Sequence, residues 1–173
     1  EAMGKEVQEH TSREHWEVIP INEVPKDTKI LLAIWSMKRK QRLGTQQVYK
    51  HKARLNVHGG KQEQGVNYWD TYAPVAQWAS IRLMLILSIL KGWHTTQIDF
   101  VMAYPQAPIE CPMFMEIPPG FEIEKSRKKH ALKLKWNIYG QKQAGRVWNH
   151  HLKHGLLQKL GFTQSVVDEC VFY

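Results

Sequence analysis

The sequence predicts an α+β fold, in which helices pack against an antiparallel sheet. Alternation of apolar and polar residues on both sides of Gly44 predicts a β-hairpin over residues 30–57. A strongly apolar stretch over residues 81–91, which Gly92 stops, predicts a buried helix. Three shorter apolar runs predict further strands at residues 93–100, 113–117 and 131–136.

Charge and hydropathy narrow the classes of function. The 173 residues include 24 Lys and Arg against 16 Asp and Glu, which gives a formal net charge of +8. An excess of this size favours a polyanionic partner such as nucleic acid. The longest apolar run, residues 83–87 within residues 81–90, is much shorter than the roughly 20 residues of a membrane-spanning helix, so we expect no membrane partner. The two cysteines have no metal-ligand spacing and predict free thiols.

The first 25 residues are expected to lead into the hairpin. Apolar residues recur among charged ones over residues 1–16 and predict a short surface helix, which ends before a turn at Pro20.

The hairpin itself carries a dense set of basic residues. Lys50, Lys52 and Arg54 alternate along its second strand and therefore share one face, while a basic run over residues 38–40 ends its first strand. Spaced cations on one face suit phosphate binding, because each neutralised phosphate releases counterions and each Arg can hold two oxygens. The alternative is a solvated strand face that binds nothing.

An aromatic segment separates the hairpin from the predicted helix. Tyr68, Trp69 and Tyr72 lie within five residues of one another. Such side chains can stack on bases, but we expect these to pack a core. Ser80 is predicted to cap the N-terminus of the helix, and the helix is predicted to be core scaffold behind Asp99.

Asp99 is the acid in an otherwise uncharged predicted strand, whose apolar run continues to residue 103 before Tyr104-Pro105 ends it. A buried carboxylate is costly unless it is paired or binds a cation, and no Lys or Arg lies within five residues of Asp99 on either side. Mg²⁺ is one suitable partner, because it takes a protein carboxylate and keeps water and substrate phosphates as its other ligands. The alternative is that Asp99 caps a following helix.

The C-terminal third predicts a charged loop over residues 124–130 and a helix from Val147 to about Leu160, which Gly161 ends. His150, His151 and His154 lie within one turn of that helix. Without an HExxH motif or a carboxylate partner, a solvated helix face is favoured over a metal site. Residues 171–173 are apolar and predict a strand.

Four blocks of residues give the chain a resemblance to the reverse transcriptase domain of copia-type retrotransposon polyproteins. They are residues 52–55 with the following Gly59-Gly60 loop, residues 65–75, residues 97–103, and residues 118–121 followed by residues 139–148. Residues 100–104 and 141–146 differ from the residues that the family usually has at these positions, but neither difference removes a metal ligand. The likeness extends over nearly the whole chain.

The resemblance implies a right-hand polymerase fold, with basic fingers and a palm made of an antiparallel sheet over helices. It divides the chain into a lead-in helix and loop (1–25), a fingers-like hairpin, loop and helix (26–92), and a palm-like subdomain (93–173). The family's Tyr-x-Asp-Asp turn, which supplies the remaining palm carboxylates, is expected beyond residue 173. We therefore expect the chain by itself to be inactive.

The implied reaction is nucleotidyl transfer from a dNTP to a primer 3′-hydroxyl with two Mg²⁺ ions, or Mn²⁺ in their place. Asp99 is the implied catalytic acid and metal ligand. Tyr104 would guard the sugar 2′ position, and a plain core tyrosine is the alternative. The residues implied at the nucleotide are Lys50, Lys52, Arg54, Phe100, Val101, Met102, Ala103, Tyr104 and Gln143. Those implied at the template or primer are Lys38, Arg39, Lys40 and Arg146.

The implied partners are an RNA template, a DNA primer and dNTPs, within a polyprotein that also carries integrase and RNase H regions. The implied location is a cytoplasmic virus-like particle, with the nucleus as a second compartment. The alternative function is a degenerate or domesticated nucleic-acid-binding fragment without catalysis, because the basic hairpin can bind phosphates without the palm acids.

Overall fold

The computed structural model describes residues 1–123 and 126–173. Its strands are β1 (Trp16–Pro20), β2 (Ile30–Leu31), β3 (Ala33–Gln41), β4 (Val48–Val57), β5 (Phe114–Glu116) and β6 (His130–Leu134). Its helices are α1 (Ala2–Ser12), α2 (Trp78–Lys91) and α3 (Ala144–His154), and a π-helical turn, Gly155–Lys159, extends α3. Short 3-10 turns span Ile21–Glu23, Gly59–Lys61, Tyr104–Gln106 and Arg127–Lys129. This mixture of helices and sheet agrees with the predicted α+β class.

The strands form a four-stranded sheet in the order β1-β6-β5-β2 and a separate β3-β4 hairpin. The pairs β1-β6 and β5-β6 are antiparallel, but β2 and β5 run parallel. The prediction of a purely antiparallel sheet is therefore wrong at this edge. The long connection between β2 and β5 permits parallel pairing, which a short turn does not.

The predicted hairpin is confirmed, and its register places the basic residues. Lys38 lies opposite Lys52, Lys40 opposite Lys50, and Ser36 opposite Arg54. Because directly paired residues share a face and neighbours alternate, these side chains all project to one side of the hairpin. The other face of β4 is buried near the base of the hairpin, at Ala53, Leu55 and Val57.

The core lies where β4, the larger sheet and α1 meet. Leu55, Met115, Leu132 and Ile138 are almost completely buried there. The N-terminal helix is shorter than predicted and is not merely a surface element, since Val7 joins the core cluster and His10 is fully buried. His10 stacks on Trp16, with ring centroids 4.9 Å apart. These contacts fix α1 beside β4.

A close crossing of two backbone segments joins the hairpin to the C-terminal region. The Val57 amide donates a hydrogen bond to the Tyr139 carbonyl over 2.8 Å, and Asn56 and Tyr139 form an isolated bridge. The next residue, Gly140, has φ +88, and a Cβ atom there would fall less than 3.0 Å from the Val57 carbonyl oxygen. Only glycine fits this backbone position without strain.

Residues 93–100, predicted as a strand, have no regular secondary structure and are exposed throughout. A strand needs a neighbouring strand to pair its backbone groups, and no described segment pairs with this one. Residues 171–173 do not form a regular strand, but they pair with residues 163–165 through three backbone hydrogen bonds around an isolated antiparallel bridge between Gln164 and Phe172.

The predicted helix at residues 81–91 is confirmed in type but not in its role. Helix α2 begins at Trp78, so Ser80 lies inside the helix and is not its cap. Its large apolar side chains are mostly exposed, with Ile89 80% exposed, and Ser88 is its buried residue. The prediction of core scaffold behind Asp99 is therefore wrong for the part of the chain that is described. The apolar composition of this segment predicts a helix, but it does not predict which part of the protein would cover the apolar side chains.

The aromatic segment also differs from the prediction of core packing, because Trp69 is 55% and Tyr72 65% exposed. The predicted charged loop at residues 124–130 lies partly outside the described residues, and Arg127–Lys129 within it forms a 3-10 turn. The helix predicted from Val147 is confirmed, although it starts at Ala144. None of the described helices is long and apolar enough to cross a membrane.

Candidate functional site

A cavity of about 610 Å³ lies between α1, β4, the segment of residues 99–104 and Tyr139. Nine residues that line it were candidates from the sequence: Lys50, Lys52, Arg54, Asp99, Phe100, Val101, Met102, Ala103 and Tyr104. The residues that the sequence reasoning did not select are Ala2, Lys5, Glu6, Glu9, His51, Ala53 and Tyr139. The structure thus brings the basic strand and the Asp99 segment, distant in sequence, to one place.

One wall of the cavity is cationic. Lys52 faces Lys38 directly across the hairpin, and it is flanked on its own face by Lys50 and Arg54. Partial burial, followed by the charges of Arg54 and Lys40, lowers the pKa of the Lys52 ammonium group from its ordinary value. Like charges that face one another across a sheet are destabilising, so a bound anion would relieve repulsion that the free protein carries.

The opposite wall is the segment that contains Asp99. Its carboxylate is exposed at the cavity rather than buried in a strand. The desolvation cost that predicted a metal partner therefore does not arise, because an exposed carboxylate keeps its hydration. The capping alternative is also wrong, since the next helical turn, Tyr104–Gln106, has Ala103 at its N-cap and no side-chain cap.

The residues that follow Asp99 form a turn that lines the cavity. Met102 adopts a positive φ of 52°. Within the described parts of the chain, the amides of residues 100–103 donate to no protein acceptor. The Phe100 ring packs edge-on against Trp148 of α3, with centroids 5.1 Å apart, and Gln106 donates to the Val101 carbonyl over 2.8 Å. The turn is therefore held in place while its amides stay free.

Aromatic rings close the end of the cavity nearest Tyr104. The Tyr104 and Tyr139 rings lie 5.2 Å apart between centroids, and the Arg54 guanidinium carbon lies 5.0 Å from the centre of the Tyr139 ring. Burial raises the pKa of the Tyr139 phenol, although the Arg54 charge acts in the opposite direction. The Tyr139 ring is thus neutral at physiological pH.

Five predicted site residues do not line the cavity: Lys38 and Lys40, which continue its cationic face along the hairpin, and Gln143, Arg146 and Arg39, which lie elsewhere. Gln143 is only 1% exposed, and its Oε1 accepts a hydrogen bond from Gln62 over 3.0 Å. Arg146 is paired with Glu110 and donates to the Asp70 carbonyl over 3.1 Å. Arg39 belongs to the face of the hairpin opposite Lys38 and Lys40, so the basic run over residues 38–40 does not act as one surface. The buried amide of Gln143 favours a packing role over contact with a ligand.

Carboxylates also enter the cavity from α1. The Glu6 side chain accepts a hydrogen bond from the Leu55 amide over 3.3 Å and lies 3.7 Å from His10. Burial raises the pKa of Glu6, but these contacts and the Lys52 charge outweigh it, so the pKa lies below its ordinary value. Glu6 therefore stays ionised beside the cationic wall.

The described residues do not fit a two-metal site on their own. No three His, Cys, Asp or Glu side chains within residues 1–123 and 126–173 come close enough together to hold a metal ion. Asp99 supplies one carboxylate from its wall of the cavity.

Two cavity residues illustrate what the sequence reasoning missed. Tyr139 belongs to the block of residues 139–148 that carries the resemblance, and it immediately precedes Gly140. A glycine at this position is the sequence feature that could have indicated a close approach of two backbone segments. Glu6 gave no signal, because its contact with Leu55 spans 49 residues of sequence.

The chain is similar to known transposon proteins over almost its whole length. The family model for reverse transcriptase (RNA-dependent DNA polymerase) matches residues 14–173. Retrovirus-related Pol polyproteins from transposons RE1 and RE2 of Arabidopsis thaliana are 33% and 31% identical to it, each over 99% of the chain. The one from transposon TNT 1-94 of Nicotiana tabacum is 32% identical over 87% of the chain. The chain spans 11%, 12% and 11% of these polyproteins, respectively. No solved structure matches it.

Proposed function

Since this chain belongs to the reverse transcriptase (RNA-dependent DNA polymerase) family, we propose that its cavity binds the triphosphate of a dNTP for RNA-directed DNA synthesis by a parent polyprotein. The matches to transposon Pol polyproteins also confirm the copia-type resemblance. The observation that carries the proposal is the meeting of Lys50, Lys52 and Arg54 with the turn at residues 99–104 around one cavity.

The two walls supply complementary groups for a polyphosphate. Arg54 and Lys52 offer cationic donors from the hairpin, and an Arg guanidinium can bind two phosphate oxygens at once. Across the cavity, the free amides of residues 100–103 are neutral donors that need no counter-charge. In this proposal the hairpin corresponds to the polymerase fingers and the Asp99 segment to the start of the palm.

Tyr104 is the proposed neighbour of the nucleotide sugar. Its ring is half-buried, lines the cavity and packs on Tyr139. A flat ring supported from behind can reject a sugar that carries an additional 2′-hydroxyl by steric overlap. The divalent ions that the family uses would have to bind at Asp99 with ligands beyond those that the described residues bring together.

The basic face of the hairpin favours a second candidate function, which is binding of nucleic acid without catalysis. Lys38 and Lys40 extend the cationic face beyond the cavity, so the face can follow a phosphate backbone. The two candidates differ in the ligand that Arg54 serves, which is a free triphosphate in the first and a strand in the second.

Binding of a fluorescently labelled dNTP to the chain, followed by anisotropy, tests the proposal. We expect the dNTP to bind more tightly than the corresponding monophosphate, and Arg54→Ala to weaken dNTP binding by about 10-fold or more, as loss of a charged hydrogen-bond donor does. Arg39→Ala removes the same charge from the opposite face of the same hairpin and should leave dNTP binding unchanged.

Equal losses in the two variants would contradict the proposal, because they would reflect net charge rather than the cavity. Binding of a single-stranded oligonucleotide that Arg54→Ala weakens, without any competition from dNTP, would support the second candidate instead.

A further inference from the structure

Tyr139 lies between two residues of the proposed dNTP site, neither of which is near it in sequence. The Arg54 guanidinium carbon is 5.0 Å from the centre of its ring, within the range of a cation–π contact. The Tyr104 ring lies 5.2 Å from it, tilted by 51°. The three side chains therefore form a contiguous cluster, from the cationic wall to the Tyr104 end of the cavity.

The backbone of Tyr139 is fixed to the end of β4. Its carbonyl accepts a hydrogen bond from the Val57 amide, and the following Gly140 is in close contact with the backbone at Val57 and Gly59. The ring is therefore anchored to β4 at Val57, which forms the last residue pair at the base of the hairpin. A side chain held in this way can serve as a platform for a more mobile one.

Arg54 needs such a platform. It is exposed, and it forms no ion pair with any described residue. Lys52 on the same face repels it, and its long side chain has many rotamers. The face of an aromatic ring attracts a guanidinium group. A guanidinium that lies parallel to the ring keeps its N–H groups, which lie in its own plane, free to bind oxygens.

We propose that Tyr139 is a positioning residue, whose ring holds the Arg54 guanidinium in the orientation that binds the triphosphate. This inference rests on the proposed function of the cavity. The aromatic ring carries the effect, and the phenolic hydroxyl does not, since that hydroxyl donates to no described acceptor. Substitution of Tyr139 by phenylalanine should therefore preserve ligand binding, and substitution by an aliphatic residue should weaken it.

The test measures binding of inorganic tripolyphosphate and of a labelled dNTP to the chain and its variants. Tyr139→Leu should weaken both about two- to fivefold, the range expected from loss of a partly exposed cation–π contact. Tyr139→Phe should bind like the unsubstituted chain. Tyr49→Leu is the matched control, because Tyr49 is an exposed tyrosine of β4 that does not line the cavity.

A spectroscopic readout checks the contact without any ligand. The NMR resonance of the Arg54 Nε–H group should show a ring-current shift in the unsubstituted chain and in Tyr139→Phe, and should lose it in Tyr139→Leu. In the Arg54→Ala background, Tyr139→Leu should cause no further loss of binding, because the ring then has nothing to position.

Three results would overturn the inference. The first is unchanged ligand binding in Tyr139→Leu. The second is a loss of binding on adding Tyr139→Leu to Arg54→Ala that equals the loss it causes in the unsubstituted chain. The third is an Arg54 resonance that does not change when residue 139 is substituted. The NMR readout keeps the inference testable where the Leu variant is unfolded, because an Arg54 resonance without a ring-current shift in the unsubstituted chain and in Tyr139→Phe would contradict the contact. Failure of the proposed function is distinguishable, because tripolyphosphate then does not bind the unsubstituted chain and Arg54→Ala changes nothing.

Discussion

Replacing Gly140 by Ala should strongly destabilise the protein, because the crossing at Gly140 joins the two halves of the cavity. The added Cβ would fall less than 3.0 Å from the Val57 carbonyl oxygen and 3.2 Å from the Val57 nitrogen. The neighbouring atoms belong to the backbone of β4, which cannot move aside as a flexible side chain can. The φ of +88° adds strain that glycine does not suffer.

The magnitude follows from these two costs. Backbone strain at a positive φ costs roughly 1 to 3 kcal/mol, and overlap of the new Cβ with the backbone of β4 costs about another 1 to 3 kcal/mol. The free energy of unfolding should therefore fall by about 2 to 6 kcal/mol. With a urea dependence of about 2 kcal/mol per M, the midpoint of urea unfolding should fall by about 1 to 3 M.

Two further variants separate strain from crowding in the same urea titration, monitored by circular dichroism. A Cβ at Gly59 would meet the Gly140 carbonyl oxygen without a positive φ of its own, so Gly59→Ala should be destabilising by the crowding cost alone. Gly4→Ala lies in α1 with no atom within 4 Å of the added Cβ, and it should stabilise by about 0.5 to 1 kcal/mol. A Gly140→Ala variant that unfolds at the unsubstituted midpoint would refute this account of the crossing.

Three further predictions address charge, protonation and sugar selection. Changing Lys38, Lys40 and Lys50 to Ala should reduce the slope of log binding constant against log salt concentration for a single-stranded oligonucleotide by about 2, at about 0.7 for each lost phosphate contact. An unchanged slope, measured by fluorescence anisotropy, would show that the phosphate contacts lie elsewhere. Burial, followed by the charge of its neighbour His10, lowers the pKa of His15 from 6.5 to about 4, so between these pH values the unfolded chain binds a proton that the folded chain does not. The free energy of unfolding should therefore be highest above pH 6.5 and should fall by roughly 1 to 3 kcal/mol as the pH is lowered towards 4. Denaturation midpoints that do not change over this pH range would contradict the prediction. In the parent polyprotein, Tyr104→Val should raise kcat/KM for ribonucleotides relative to deoxyribonucleotides while Tyr104→Phe keeps the ratio, whereas a core tyrosine would lower both activities together and leave the ratio unchanged.

The elements that could be predicted from the sequence are those whose signals are local. The β3-β4 hairpin follows from alternation on both sides of a turn, and α3 follows from apolar residues at helical spacing. The same alternation correctly put Lys50, Lys52 and Arg54 on one face. These patterns depend on residues that are close in sequence.

The elements that could not be predicted depend on distant partners. Residues 93–100 have the composition of a strand, but composition does not provide a neighbouring strand. At the N-terminus of α2, the Asp168 carboxylate accepts a hydrogen bond from the Gln77 amide over 2.9 Å, and Ser80 is not the cap. Ser80 alone gave no indication of an acid 88 positions further along the chain.

The candidate site was predictable in part for the same reason. The resemblance selected Asp99 and the turn after it, and the periodicity of β4 selected the cationic wall. Tyr139 reaches the cavity through a backbone crossing between segments about 80 residues apart, which no local pattern encodes. Gln143 was selected by the resemblance alone, and its surroundings in the core became visible only in the structure.

The most direct test of the central claim is primer extension by the parent polyprotein with Asp99→Asn. The substitution keeps the size of the side chain and removes its charge at the cavity. If the cavity is the polymerase site, extension of a DNA primer on an RNA template should be abolished while nucleic-acid binding remains intact. Asp27→Asn, at an exposed acid in a turn outside the cavity, is the matched control and should extend primers normally. Extension by Asp99→Asn at close to the unsubstituted rate would contradict the claim.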